Sequence, residues 1–298
     1  MFRESFKYYK SKDPLPTFED VLNIHKPKLL LNNGIITKLA INKSSPQYGL
    51  RSTEDWEVYV INSRNGLIFI KNPFTPHGQR YWITRCLKDY SKKPHKLNID
   101  NTNILKSDEN WWEEGRKNKK IIDSLRWSTF GYHHDWDTKI YSEENKCPFP
   151  EDIKNMTKYV AEQFGFDDFT AEAAIINYYH LDSTLSGHTD HSEQNLEAPL
   201  FSFSFGQSAI FLIGGETIDE KPLAIYIHSG DILIMSKESR LCYHAVPRII
   251  KTNYEVWNDE YQMENSDFKH WEPFNNYLSY SRININVRQV LNKGQLKL

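Results

Sequence analysis

Cysteine is scarce: Cys86, Cys147 and Cys242 are the three in 298 residues, far apart and with no CxxC pair. That spacing excludes a disulfide framework and a structural zinc site, and it fits a reducing compartment. No apolar run approaches the roughly 20 residues needed to cross a bilayer, so no membrane partner is expected. Neither sign of charge dominates, since 37 basic and 39 acidic side chains leave a net charge of −2. A global attraction to polyanions is thereby excluded, and nucleic acid could be held only through local patches. The clearest patch is Arg116, Lys117, Lys119 and Lys120, just after Trp111 and Trp112, a run that also suits a solvated helix face. Internal repeats and low-complexity tracts are absent. The first residues, MFRESFKYYKSK, lack the apolar stretch of a secretory signal. Being mildly basic and amphipathic, they leave nucleus, cytoplasm and mitochondrion all open for a protein expected to be intracellular and monomeric.

What is present is a globular composition, 39% hydrophobic and 14% aromatic. The 8 tryptophans and 17 tyrosines can fill a β-rich core or stack on flat ligands. Residues 1–65 read as a polar, partly helical arm whose most helical piece is FEDVLNIH. GLIFI reads as a buried strand. Residues 77–91 carry helical spacing, with Trp82, Cys86 and Tyr90 recurring every four. Residues 95–120 read as loop plus helix, and LRWSTFGYHHDWD as a surface ribbon. Pro150 opens a helix over 150–164 that Gly165 ends. Beyond it, AAIINYY, LFSFSFG, SAIFLIG, LAIYIHSGD, DILIM and RININVRQV are short apolar or alternating runs separated by turn residues, as in a barrel or jelly roll.

Two patterns in this β-rich half carry chemistry. His188 and Asp190 lie two apart, so an extended segment points imidazole and carboxylate the same way. A second histidine on a neighbouring strand, with His244 the candidate, would complete the two-His, one-carboxylate set that binds iron(II) and leaves open positions. An HxD alone is weak, because most of the 11 histidines will be ordinary core or surface residues. The last β run adds weight. Arg282, Asn284, Asn286 and Arg288 alternate with aliphatic residues, which puts two guanidiniums on one strand face. If that face looks inward, the guanidiniums need buried anions: a dicarboxylic acid gripped bidentately for one, metal-bound carboxylates for the other. Asn177 and Tyr179 could add an amide and a phenol.

The order Asn-x-Tyr, HxD, SRLxxxHxxxR and Arg-x-Asn-x-x-x-Arg resembles the AlkB family of iron(II)- and 2-oxoglutarate-dependent oxygenases. NYYHLDSTLSGHTDHSE, PLFSFSFGQSAIFLIGG, HSGDILIMS and SRLCYHAVPR carry the similarity, which extends from about Gly66 to Val290. The resemblance implies an α+β, mainly β fold: a double-stranded β-helix (jelly roll) with flanking helices and an N-terminal nucleotide-recognition lid. It divides the chain into the arm (1–65), helix plus lid (66–149) and catalytic core (150–298). It implies iron held by His188, Asp190 and His244, the catalytic set, and 2-oxoglutarate held by Asn177, Tyr179, Arg282, Asn284 and Arg288, with O2 as co-substrate. Arg282 with Tyr179 would anchor the distal carboxylate. Trp112, Tyr132, His133, His134, Asp135 and Arg240 would contact the substrate. The implied reaction is oxidative demethylation of a base in transfer RNA or DNA, or oxidation of 5-methylcytosine in RNA, with release of succinate, carbon dioxide and formaldehyde. An oxygenase acting on a protein side chain, or a dead fold that only binds nucleic acid, remain the alternatives. Four positions depart from the family's pattern: His134 stands for tyrosine, Asp135 for asparagine, Lys237 for glycine and His191 for arginine.

Overall fold

Each alternating run between residues 173 and 290 forms a strand, because each has an aliphatic face to bury and turn residues at its ends. A computed structural model describes the backbone of residues 1–258 and 265–298 and the side chains of 1–258 and 270–298. Among the described residues the strands are β1 (Ile36–Leu39), β2 (Glu57–Ile61), β3 (Leu67–Lys71), β4 (Lys96–Leu97), β5 (Trp127–Gly131), β6 (Ala173–His180), β7 (Leu185–His188), β8 (Leu200–Gly206), β9 (Ser208–Ile213), β10 (Leu223–Ile227), β11 (Ile232–Met235), β12 (His244–Ile250) and β13 (Ser281–Arg288). The α-helices are α1 (Phe2–Lys10), α2 (Pro27–Asn32), α3 (Pro76–Thr84), α4 (Trp111–Gly115), α5 (Lys119–Ile122), α6 (Glu151–Glu162) and α7 (Asn265–Leu278).

Nine strands make one sheet, in the order β1-β2-β3-β11-β8-β13-β6-β5-β4, and four make a second, β10-β9-β12-β7. Neighbouring strands pair antiparallel throughout. This is the mainly β, double-stranded architecture expected, with strands from before residue 65, from the middle segment and from the C-terminal half sharing one sheet. One face of the large sheet, with Tyr179, Leu200 and Met235, looks toward Phe211 and Val246 of the small sheet. Its other face, with Ile283, Ile285 and Val287, packs on Trp82, Trp111 and Met156 of the helical layer.

Three local expectations change. FEDVLNIH is not helical: Leu22 bridges Ile225 of β10, its N–H donating to the Ala224 carbonyl at 2.8 Å. Val21 and Ile24 are buried on either side, so pairing with a sheet edge outweighs helix propensity here. LRWSTFGYHHDWD is not a surface ribbon, because β5 lies between β6 and β4 and buries Ser128, Thr129 and Phe130. The 77–91 helix exists, capped by the Thr75 side chain and opened by Pro76, but widens into a π-turn at Arg85–Asp89. Trp82, Cys86 and Tyr90 are all buried. Helix α6 follows its expected bounds, and Gly165 past its end takes φ +75°.

Candidate active site

The three candidate metal ligands lie at or beside two strand ends that the small sheet brings together. His188 closes β7, His244 opens β12, and the two are direct register partners with ring centroids 4.3 Å apart. Asp190, just past β7, places its carboxylate oxygens 3.9 Å from His188 Nε2 and 3.5 Å from His244 Nε2. Each histidine donates Nδ1–H to a carbonyl, His188 to Ser186 at 2.9 Å and His244 to Cys242 at 3.0 Å. A carbonyl can only accept, so Nδ1 carries a proton on each ring and Nε2 is the atom each turns toward the Asp190 carboxylate. Burial, with His244 beside it, pushes the His188 imidazole down to about 4, so it is neutral near pH 7. Burial alone would raise the Asp190 carboxyl, but Arg288 and the two imidazoles hold it well below the usual range. One ligand atom from each residue lies within 4.8 Å of the others. Two imidazole nitrogens and one carboxylate on a single face suit iron(II) with positions left open.

The strand face opposite the triad is cationic and inward. Arg282, Asn284 and Asn286 of β13 lie across from Tyr179, Asn177 and Ile175 of β6 on one side, and from Gly206, Ser204 and Ser202 of β8 on the other. With His188, Asp190, His244 and Arg288 they line one cavity of about 490 Å³. Arg282 is 3% exposed. It donates to Ser204 Oγ at 2.8 Å and to the Gln207 carbonyl at 3.4 Å, while its Nε has no partner among the described residues. Burial pulls this guanidinium down to about 10, opposed by Tyr179 and Asp231. A buried arginine without a carboxylate at hydrogen-bond distance, among the described residues, is the signature of a site that awaits an anion. Burial pushes the neighbouring Tyr179 phenol up to about 12, so it is a neutral hydrogen-bond donor. Asn284 is engaged by Ser202, Ser204 and the Phe203 carbonyl, and its Oδ1 accepts from Asn286. Arg288, by contrast, has its anion: NH2 donates to Asp190 Oδ1 at 2.8 Å. The cavity therefore fits a dicarboxylate anchored at Arg282 and reaching toward the triad.

The structure does not bring all the expected substrate residues together. His134 lines the cavity, 8% exposed, with an unpartnered Nδ1 and its ring edge-on to Trp136 and Tyr141 at 4.7 and 5.4 Å. Trp112 lies behind the large sheet instead, stacked on Phe274 at 5.0 Å and against Tyr277, because the Trp111–Trp112 pair fills the helical layer. Tyr132 donates to Glu143 and packs with Ala173 and Val290. His133 turns back to Thr129 Oγ1 at 2.7 Å. Asp135 accepts from the N–H groups of Asp137 and Thr138, closing a turn in the lid rather than facing the cavity. Arg240 is 1% exposed and spent on protein, donating to the carbonyls of Ala198 and Asp190 and to Glu193. Of the departures, Lys237 has φ +49°, the left-handed region where glycine is favoured, and His191 bonds Thr189 Oγ1 at 2.8 Å.

Trp136 ends the Tyr132–Trp136 run that the resemblance assigns to the lid, whereas other cavity residues were not singled out from the sequence. Trp136 is 44% exposed at the rim, with Lys139 Nζ 5.7 Å from its ring centroid. Ser202 and Ser204 hold the β13 side chains, and their alternation in LFSFSFG was a readable signal. Glu193 and Tyr141 surround Arg288 from loops, where no periodic pattern marks them.

The profile of the 2OG-Fe(II) oxygenase superfamily matches residues 66–288. Nucleic acid dioxygenase ALKBH1 of Homo sapiens is 38% identical, over 99% of this chain and 85% of the relative. The tRNA demethylase abh1 of Schizosaccharomyces pombe is 44% identical over 56% of this chain and 53% of its own. The DNA N(6)-methyladenine demethylase ALKBH1A of Arabidopsis thaliana is 31% identical over 78% and 77%. A solved structure of OsALKBH1 covers 76% of this chain and 97% of its own with TM-score 0.50 at 20% identity, a likeness of fold. The chain belongs to the AlkB family of iron(II)- and 2-oxoglutarate-dependent dioxygenases.

Proposed function

We propose that this dioxygenase oxidises a methyl group on a nucleic-acid base, and that N-methyl bases are thereby demethylated. The observation that carries the reading is the form of the cavity. It brings the triad and an anion-seeking arginine into one lining with Trp136, His134 and Lys139. Iron(II), held by His188, Asp190 and His244, would supply oxygen activation coupled to decarboxylation of 2-oxoglutarate. The protein's own groups do the rest. Arg282 and Tyr179 hold the distal carboxylate, the one by its charge and the other by a neutral O–H. Arg288 keeps one oxygen of Asp190 occupied. Tyr179, Phe211, Leu233 and Val246 wall the cavity against water.

A base must leave its stack, or come from an unpaired loop, to bring a methyl group to the triad. Trp136 offers an exposed ring for it, worth about 1–3 kcal/mol in stacking. His134 packs edge-on against that ring from within the cavity wall, and Lys139 offers a contact to phosphate. The candidate substrates are N1-methyladenine in transfer RNA, N6-methyladenine in DNA and 5-methylcytosine in RNA, the last oxidised without loss of the methyl carbon. Succinate and formaldehyde released from a panel of methylated oligonucleotides, transfer RNAs and methylated histone peptides test the reading; for 5-methylcytosine, mass spectrometry of the base replaces formaldehyde. Turnover on a nucleic-acid member is expected; turnover on histone peptides alone overturns it.

A further inference from the structure

Glu193 is buried to 4% exposure beside the triad, and nothing in the reaction described above uses it. It lies between two guanidiniums. Arg240 NH2 stands 3.0 Å from its Oε2, Arg288 NH1 stands 3.6 Å from Oε1, and the Tyr141 hydroxyl donates to Oε1 at 2.9 Å. The same two arginines hold Asp190 at both ends. Arg240 NH1 donates to the Asp190 carbonyl at 2.6 Å, and Arg288 NH2 donates to Oδ1 at 2.8 Å. The contacts close into a ring running from Glu193 through Arg240, the Asp190 main chain, the Asp190 carboxylate and Arg288 back to Glu193.

The charge balance of this ring bears on the metal. Two guanidiniums face two carboxylates, Asp190 and Glu193, all four largely removed from water. Without Glu193, both cations would look to Asp190 alone, the carboxylate a dication also needs. Arg288 would then compete with the metal for the second oxygen, and the uncompensated charge would repel the ion. We propose that Glu193 is a positioning residue. It draws Arg288 to one side, so that Arg288 occupies Oδ1 of Asp190 and leaves Oδ2, the oxygen 3.5 Å from His244 Nε2, for the metal. Arg240 fixes the main chain beneath, and Tyr141 completes the hydrogen bonding of Glu193.

This inference rests on the triad as the metal site and is independent of the substrate's identity. Titration with Mn2+, followed by the electron paramagnetic resonance of the free ion, reads it without turnover. In folded Glu193→Gln the Mn2+ affinity is expected to fall by about 10–100-fold, as when a group that orients a metal ligand is lost. The 2-oxoglutarate concentration for half-maximal decarboxylation, set by Arg282, should change by less than the metal affinity does. A variant with a lower melting temperature but wild-type Mn2+ affinity would reduce Glu193 to a structural group and overturn the proposal. Should Glu193→Gln fail to fold, Tyr141→Phe removes one hydrogen bond from the ring with little change in volume. A weaker Mn2+ affinity there supports the proposal, and an unchanged one overturns it. Wild-type protein that binds no Mn2+ overturns the triad reading and this inference together, whereas equal binding by wild type and Glu193→Gln overturns the inference alone.

Discussion

Arg282 and Arg288 project from one face of β13, yet burial acts on them in opposite circumstances. Asp190 and Glu193 neutralise Arg288, and its guanidinium is held above its ordinary range despite burial. Among the described residues Arg282 has hydroxyl and carbonyl acceptors only, and its affinity for protons drops. The proposal that Arg282 anchors 2-oxoglutarate rests on this uncompensated guanidinium. Arg282→Ala should therefore weaken 2-oxoglutarate binding by about 10–100-fold, the loss of a charge-assisted pair worth roughly 1.5–3 kcal/mol. Arg282→Lys should recover only part, since an ammonium cannot reproduce the fork. Titration of the Mn2+-loaded protein with 2-oxoglutarate checks both, and unchanged affinity in Arg282→Ala would move the anchor elsewhere. Asp190→Ala should abolish turnover and reduce metal affinity by more than about 100-fold. It also leaves Arg288 and Arg240 sharing Glu193, so its melting temperature should fall as well, which calorimetry reads.

The lid shows how an element can be recognised while its residues are misassigned. β5 leads out of the large sheet, Gly131 takes φ +69° where a Cβ would stand 2.0 Å from the Glu172 carbonyl, and the chain then turns over the cavity. Beyond that turn His134 and Trp136 reach the cavity, while Tyr132, His133 and Asp135 secure the lid to the protein. Trp112 belongs to another element, α4, and closes the helical layer against Phe274 and Tyr277. The two tryptophans should therefore fail differently. Trp112→Ala should cost about 3–5 kcal/mol of stability, in the range of large-to-small core changes, and lower every activity together. Trp136→Ala should leave the melting temperature and 2-oxoglutarate affinity in place while nucleic-acid turnover falls. If Trp136→Ala turns over nucleic acid normally, the stacking surface lies elsewhere.

For the whole molecule the consequence is a pH limit set by buried imidazoles. Burial, aided by neighbouring cations, pushes His95 and His133 down to about 4. His228 falls to about 4 mainly through burial, with Asp231 opposing. In the unfolded chain each takes a proton near pH 6.5. Between about 6.5 and 4 the unfolded state therefore binds more protons than the folded one, and stability must fall as pH falls through that window. Above pH 6.5 these groups impose no such loss. Melting temperatures measured from pH 8 to 4 should decline below about 6.5, and a curve flat to pH 4.5 would contradict the burial of these rings. His133→Gln should flatten the decline in part.

Much of the site was legible because its signals are local. A strand's period of two placed His188 with Asp190, and Arg282 with Asn284, Asn286 and Arg288, before any neighbour was known. The β-rich texture after residue 165 and the helix opened by Pro150 followed from the same kind of reading. What periodicity cannot supply is which side of a sheet a face looks toward, or which loops meet. Only the packing of the sheets paired His244 with His188 in register, turned Trp112 away from the triad, and drew Leu22 onto β10. Only it brought Glu193, Tyr141 and Arg240 from three separate segments around Arg288 and Asp190. Buried charge needs partners wherever the chain can supply them, and that demand is met through space, not along the sequence.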